Sequence, residues 1–219
     1  MTTPIELISL DVGGTLGVPA GSGLTQRLVQ RSPLEPITAT AIIRQLVITC
    51  QAITEDVVRE VCDALEIALD ASLFHQPAAT FTFYSGIEDT LRDLARLAPL
   101  VTLSNVSCVD ADNPALRREL VRYVDDQFPS CRIGYAKPDA RAFLAVAAAR
   151  GVPPERIVHI GDDWACDVLG ALDAGCRAVW ISHDRPIPDA RVFVEHQAAA
   201  VADLAHAAAH LAASPKELL

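Results

Sequence analysis

Lysine is nearly absent from this chain: Lys137 and Lys216 are the only two, and arginine carries the rest of the positive charge. A lysine in mid-chain therefore stands out. The formal net charge is −10, which argues against a partner held through nucleic-acid phosphates. No apolar run reaches the roughly 18 residues that a membrane-spanning helix needs, so no membrane association is expected. The start, Met1-Thr2-Thr3-Pro4-Ile5-Glu6, has neither a basic region nor a cleavage site, so no signal peptide is expected. The six cysteines (Cys50, Cys62, Cys108, Cys131, Cys166 and Cys176) show no C-x-x-C spacing. They read as reduced thiols of a cytoplasmic protein rather than a zinc site or a disulfide frame. No internal repeat or long linker is visible, and oligomeric state is unreadable.

What is present suits a folded domain. Hydrophobic residues make up 51% of 219, enough for a substantial core. Strand-like apolar runs occur at Ile5–Leu10, Leu100–Leu103, Ile157–Ile160 and Ala178–Ile181. None alternates cleanly with polar residues, which suits strands covered on both faces. Helical patterns lie between them: Ile87–Leu97, Asp139–Arg150 ending at Gly151, and Trp164–Ala174 ending at Gly175. Strands alternating with helices predict βαβ units and a parallel sheet. From about Gly21 to Thr80 the rhythm changes to helices alone. Thr38–Ala52 has helical spacing, and Thr54 caps a second helix running to about Asp70. Loop-like stretches, Gly17–Gly21 and His75-Gln76-Pro77, flank this insert. Glu195–Ala213 reads as an alanine-rich outer helix.

Several residues could carry chemistry. Asp11 follows the first strand and precedes Gly13-Gly14. In a parallel sheet that is where ligands bind, and a carboxylate there can attack phosphorus; a turn-forming aspartate is the bland alternative. Ser104 ends the second apolar run, where a hydroxyl beside free backbone N–H groups suits a phosphate; Ser104-Asn105 also suits a turn. Lys137 precedes Pro138, which keeps it out of the following helix; a cation there can offset charge on a carboxylate and a phosphoryl oxygen. Asp162, Asp163 and Asp167 crowd into six residues. They repel unless a cation joins them, and oxygen-only ligands suit Mg²⁺; alternatively Asp163 caps a helix and Asp167 is solvated. His159 reads as a satisfied core residue, and His183, in the loop after the fourth strand, is positioned to approach a ligand. His206 and His210 share a helix face, but no third ligand supports zinc.

In order, these residues resemble the four motifs of the haloacid dehalogenase-like superfamily. Leu10-Asp11-Val12-Gly13-Gly14-Thr15-Leu16 is similar to the family's D-x-D-G-T-L; Ser104 matches the second motif, Lys137 the third, and Asp162 with Asp167 the fourth. Tyr84-Ser85-Gly86-Ile87 and Ala136-Lys137-Pro138-Asp139 each precede a helix as the family's do. The resemblance implies an α/β fold with a Rossmann-like parallel sheet core, helices on both faces, and an inserted small helical cap of the C1 type. The core would be residues 1–17 and 82–219, the cap 18–81. It further implies that Asp11 is the nucleophile of a hydrolase acting on a small phosphorylated substrate. Mg²⁺ would be held by Asp11, Asp162, the carbonyl of Gly13, and waters ordered by Asp163 or Asp167. Ser104, Asn105, Lys137 and the N–H groups of Gly14 and Thr15 would hold phosphoryl oxygens.

The chain departs from the pattern at Gly13, where the family's phosphatases keep an aspartate as general acid/base. A glycine still offers a backbone carbonyl, so the implied metal site survives. General acid–base help is typically worth 10² to 10⁴ in rate, whereas positioning and charge neutralisation carry most of phosphoryl transfer. The expectation is a Mg²⁺-dependent hydrolase with an altered acid/base step. A catalytically silent protein that binds a phosphorylated ligand is the alternative. A 2-haloacid dehalogenase-like activity comes third: Arg27, Arg31 and Arg44 suit a carboxylate substrate, but the Gly-Asp-Asp run argues against it. The family's phosphonatases need a cap lysine, and the insert has none.

Overall fold

Residues 4–75, 80–112, 114–195 and 198–213 are described by a computed structural model. Their strands are β1 (Leu7–Leu10), β2 (Gly17–Ala20), β3 (Thr80–Phe83), β4 (Leu100–Ser104), β5 (Asp126–Pro129), β6 (Ile157–Gly161), β7 (Arg177–Ile181) and β8 (Ala198–Val201). The first longer helices are α1 (Leu24–Arg31), α2 (Pro36–Leu46), α3 (Glu55–Ala64) and α4 (Ile87–Ala95). Six strands form one parallel sheet in the order β5-β4-β1-β6-β7-β8.

The four apolar runs lie at the centre of that sheet because both their faces are covered. Successive side chains of a strand point to opposite faces. On one face Ile8, Leu10, Val158 and Ile160 pack with Leu91 and Leu94 of α4 and with Leu204 and Leu211 of the helix Leu204–Ala213. On the other, Leu7, Val101, Ile157 and Trp180 pack with Phe143 and Val146 of the helix Ala140–Arg150. Burying each such side chain contributes about 1.5–3 kcal/mol. The second face also holds two buried polar residues, Ser9 and His159, which register pairs side by side. The expected Rossmann-like α/β architecture is present.

Between β2 and β3, α1–α3 and the turn Ala71–Phe74 close around Leu24, Leu28, Ile43, Val58, Val61 and Phe74 as a separate core. The chain leaves and returns along an antiparallel ribbon, from Gly17 opposite Phe83 to Ala20 opposite Thr80. That ribbon replaces the loop expected at Gly17–Gly21; three of the four β2 residues are exposed, so its sequence lacks an apolar pattern. Among the bonds that join the helical lobe to the segments after β4 and β5, Leu24 N–H donates to Asp110 at 3.1 Å, and the Ser130 hydroxyl donates to the Ile48 carbonyl at 2.5 Å. Gln76, Pro77 and Lys216 lie outside the described residues.

Other boundaries shift for local reasons. α2 starts at Pro36, a residue suited to a first helical turn, and stops at Leu46 rather than Ala52. Thr54 caps α3 as expected, accepting from Val57 N–H. The helix ends at Ala64 rather than near Asp70, as Glu66 takes a left-handed backbone with φ 54°. The expected helix Glu195–Ala213 is corrected. Glu195 closes a short helix begun at Arg191, and the rest of the described part is strand β8, hydrogen-bonded along β7, followed by a helix that begins only at Leu204. Sheet pairing overrides alanine's helix preference there, and Asp203 opens the helix by accepting from His206 N–H at 2.9 Å.

Gly170, in the helical run after β6, fixes how closely that run meets the loop carrying Lys137. A Cβ at Gly170 would sit 2.8 Å from Pro138 Cα and 2.9 Å from the Pro138 carbonyl oxygen. Both neighbours are backbone and cannot swing aside. Gly170→Ala is expected to lower stability by about 1–3 kcal/mol, read from denaturant unfolding. Gly13→Ala, where a Cβ meets nothing within 4 Å, is expected to stay within about 0.5 kcal/mol. Equal stabilities for the two variants would contradict this packing argument.

Candidate active site

Three adjacent strands deliver the site. Asp11 directly follows β1, Ser104 ends β4, and Asp162 directly follows β6. All three lie at carboxyl ends of parallel strands, where an α/β sheet opens to ligands. Lys137 comes from the loop before the helix Ala140–Arg150, and Asp167 from the helical run Trp164–Leu169.

The Lys137 ammonium joins them. Its Nζ lies 2.7 Å from Asp11 Oδ1 and 2.6 Å from Asp167 Oδ1, with the lysine 1% exposed. His159 Nε2 reaches the same Asp167 oxygen at 3.2 Å, and its Nδ1 lies 3.0 Å from Ser9 Oγ. Asp163 N–H donates to Asp167 Oδ2 at 2.9 Å. Taking an ammonium out of water costs several kcal/mol unless it is paired, and here two carboxylates pair it. Burial pushes Asp11 up to about 7 against the pull of Lys137, with the Asp167 charge adding to the push. Burial also acts to raise Asp167, but Lys137 and the His159 bond outweigh it and hold that carboxyl well below its usual range. Burial works to lower Lys137, and the two carboxylates overcome it, leaving its pKa above the usual value. Burial, then Asp167, raises Asp162.

Asp11, Asp162 and Asp167 each offer a carboxylate oxygen, and these lie within 4.8 Å of one another. An all-oxygen set of this kind fits Mg²⁺. Gly14 makes room for it: its φ is +81°, and a Cβ there would lie 2.4 Å from Asp162 Oδ1. Asp163 stands outside the trio. It is exposed and caps the next helical turn, accepting from Cys166 N–H at 2.8 Å. Gly13 is exposed, and the space beside it is open.

The other expected contacts are placed as follows. Gly14 N–H donates to the Gly17 carbonyl at 2.7 Å. The Thr15 hydroxyl is buried and lacks a hydrogen-bond partner. Asn105 clamps the Lys137 backbone, its amide donating to the Lys137 carbonyl at 2.7 Å and accepting from Lys137 N–H at 2.8 Å. Ser104 and Asn105 line a cavity of about 650 Å³ with Asp11, Lys137, Asp162 and Arg44. Arg27 instead donates to the carbonyls of Ser22 and Leu73 within the lobe.

Three further residues matter. His183 Nε2–H donates to the Gly14 carbonyl, 2.7 Å away. Arg185 donates to the Asp162 carbonyl at 2.5 Å and approaches its Oδ2 at 3.4 Å. His159 supports Asp167 from behind. Its only signal in the sequence is strand phase: Ser9 stands two before Asp11, and His159 two before Gly161.

Residues 5–175 match the family described as haloacid dehalogenase-like hydrolase. The chain belongs to that family. A phosphoserine phosphatase of Thermus thermophilus is 44% identical over 69 residues, covering 29% of this chain and 28% of that protein. A probable phosphoglycolate phosphatase of Pseudomonas putida is 30% identical over 142 residues, covering 63% of this chain and 56% of that protein. These curated relatives are thus matched over at most about half their length. The crystal structure of a 2-haloacid dehalogenase from Pseudomonas syringae pv. Tomato superposes with TM-score 0.64 at 21% identity, covering 96% of this chain and 99% of that one. At that identity the likeness concerns the fold alone. Among the described residues no helix is long and apolar enough to cross a membrane.

Removing the shared cation from this haloacid dehalogenase-like chain should expose the cost of two buried carboxylates. Lys137→Met is expected to lose about 3–5 kcal/mol at neutral pH. Without the ammonium, both Asp11 and Asp167 have folded pKa values above their unfolded ones. The folded state then binds more protons, so stability falls as pH rises through that window. Thermal melting in EDTA should therefore place the variant's Tm higher at pH 5 than at pH 8. A Tm that rises with pH in the variant would refute the shared-cation account.

Proposed function

We propose that this haloacid dehalogenase-like chain is a Mg²⁺-dependent hydrolase of a small phosphorylated metabolite, acting through Asp11. The observation that carries this reading is the placement of Asp11 Oδ1 2.7 Å from the buried Lys137 ammonium, with oxygens of Asp162 and Asp167 within 4.8 Å. One Asp11 oxygen forms a bond to phosphorus as the bond to the leaving group breaks. Water then cleaves the resulting aspartyl-phosphate. Lys137 offsets charge on the nucleophile and on a phosphoryl oxygen. Ser104 and the N–H of Thr15 hold phosphoryl oxygens, and Asn105 fixes the backbone of Lys137. When bound, Mg²⁺ supplies charge neutralisation; Asp11, Asp162 and the Gly13 carbonyl would hold it. Asp167, engaged by three donors, anchors the lysine beside them.

Residues 18–81 serve as the cap in this reading, supported by their separate core and the ribbon that carries them. The cavity volume of about 650 Å³ suits a small metabolite. Arg44 enters that cavity half-buried, without an ion pair or hydrogen bond among the described residues. It suits a second anionic group on the substrate. A cytoplasmic location belongs to the same reading, supported by six free cysteines. Gly13 favours one second reading, a catalytically silent protein that binds a phosphorylated ligand.

Phosphate release from acetyl phosphate and p-nitrophenyl phosphate, with Mg²⁺ and with EDTA, separates these. Metal-dependent release that disappears in Asp11→Asn is expected. Release that survives Asp11→Asn rules out the nucleophile; saturable phosphate binding with no release favours the silent protein. Leaving groups supply a further test. Gly13→Asp, for which the space is open, should raise turnover of an alkyl phosphate by roughly 10² to 10⁴ and change acetyl phosphate far less. An equal effect on both substrates would show that the acid/base step is not what the glycine removed.

A further inference from the structure

We propose that His159 is a positioning residue for Asp11, acting at one remove through Asp167 and Lys137. The role rests on the reading of Asp11 as nucleophile. Four contacts join five side chains in series. Ser9 Oγ lies 3.0 Å from His159 Nδ1, His159 Nε2 3.2 Å from Asp167 Oδ1, that oxygen 2.6 Å from Lys137 Nζ, and Nζ 2.7 Å from Asp11 Oδ1. Ser9, His159, Asp167 and Lys137 are all buried, each no more than 2% exposed.

The donors and acceptors along this line fix one arrangement. An ionised Asp167 only accepts, so His159 Nε2 carries the proton it donates. Burial and the nearby Lys137 charge disfavour a second proton on the ring. Nδ1 is then bare, and the Ser9 hydroxyl donates to it. The Phe143 ring meets the imidazole edge to face, with centroids 5.1 Å apart, and limits its rotation. Asp167 is thereby held from three directions: by β6 through His159, by its own helical turn through Asp163 N–H, and by the loop through Lys137. Without the imidazole donor the Asp167 carboxylate can turn about its remaining bonds, and the ammonium follows it. Small displacements at a reacting centre are costly: about 1 Å can reduce rate 10²-fold. The ammonium in this line also meets a phosphoryl oxygen in the proposed reading, so the loss falls on both kcat and kcat/KM.

The scarcity of lysine makes the idea measurable without turnover. Protein labelled with ¹⁵N at the lysine ε position has only Lys137 and Lys216 to report. In the wild-type chain the buried Lys137 ammonium should give a slowly exchanging signal, and ¹⁵N-labelled His159 a protonated Nε2 with a bare Nδ1. His159→Phe, which keeps the ring volume and loses the donor, should shift the ammonium signal and speed its proton exchange; His159→Leu is the second donor-free variant. His159→Gln, whose amide can donate to Asp167, should restore the wild-type signal. With acetyl phosphate, kcat and kcat/KM should each fall roughly tenfold or more in the donor-free variants and recover in His159→Gln. A wild-type ring protonated at Nδ1 instead, an ammonium signal unchanged in the donor-free variants, or equal behaviour of His159→Phe and His159→Gln would each overturn the proposal. If the wild-type chain releases no phosphate, the hydrolase reading fails, while the ring and ammonium spectra still decide whether His159 holds Lys137.

Discussion

One buried ammonium shared by two carboxylates is the constraint on which this site depends. Neither Asp11 nor Asp167 can lie at its observed depth without Lys137, and Lys137 cannot lie there without them. The trio still carries one excess negative charge, and the fold distributes it unequally. Asp167 receives the lysine, His159 Nε2 and Asp163 N–H. Asp11 shares the lysine from the far side, and burial leaves its pKa near 7. The better-compensated carboxylate is an anchor. The less-compensated one faces the cavity, where a dication would relieve it. The inequality follows from the number of donors, and those donors come from strand, helix and loop.

Holding a flexible lysine in that position requires control of its backbone. Asn105 supplies it by taking both the N–H and the carbonyl of Lys137 from the end of β4. Gly170 supplies it from the other side by letting the helical run approach Pro138 without a Cβ between them. Lysine carries about 2 kcal/mol of rotamer entropy, which these contacts must offset. The same logic explains the glycine at position 14, whose missing Cβ lets Asp162 stand against the loop after β1.

The central strands were legible because each is apolar throughout and covered on both faces. The strands that were not legible fail for a shared reason. β2, β3 and β5 are short, partly exposed or polar, and β8 is an alanine run whose strand form exists only through pairing with β7. The motif carboxylates and Lys137 could be read because each follows a strand or precedes a helix in a recognisable order. The contacts of Asn105 could not, because its partner lies 32 residues away and only the fold brings it near. Asp163 could be read either way, and its capping bond decides its place. His159 was read as a satisfied core residue. It is satisfied, but by Asp167 and Ser9, and the phase it shares with Asp11 across neighbouring strands was the available clue.

Gly13 differs from the other glycines of the site in having no steric reason to be one. Its backbone is not left-handed, and no atom stands within 4 Å of where a Cβ would be. Folding therefore does not account for the residue, and in the proposed hydrolysis its consequence is chemical. Phosphoryl transfer makes two separate demands: charge must be neutralised at the phosphoryl group, and a proton must reach the leaving group. In the proposed reading the charge-neutralising set is complete without a side chain at position 13, since Lys137 and the carboxylates that would hold Mg²⁺, Asp11 and Asp162, come from other elements. The proton demand scales with the basicity of the leaving group. It nearly vanishes for an acyl or aryl phosphate and is severe for an alkyl phosphate. On the proposed reading, such a site selects by leaving group before residues 18–81 select by shape, unless the substrate brings its own acid.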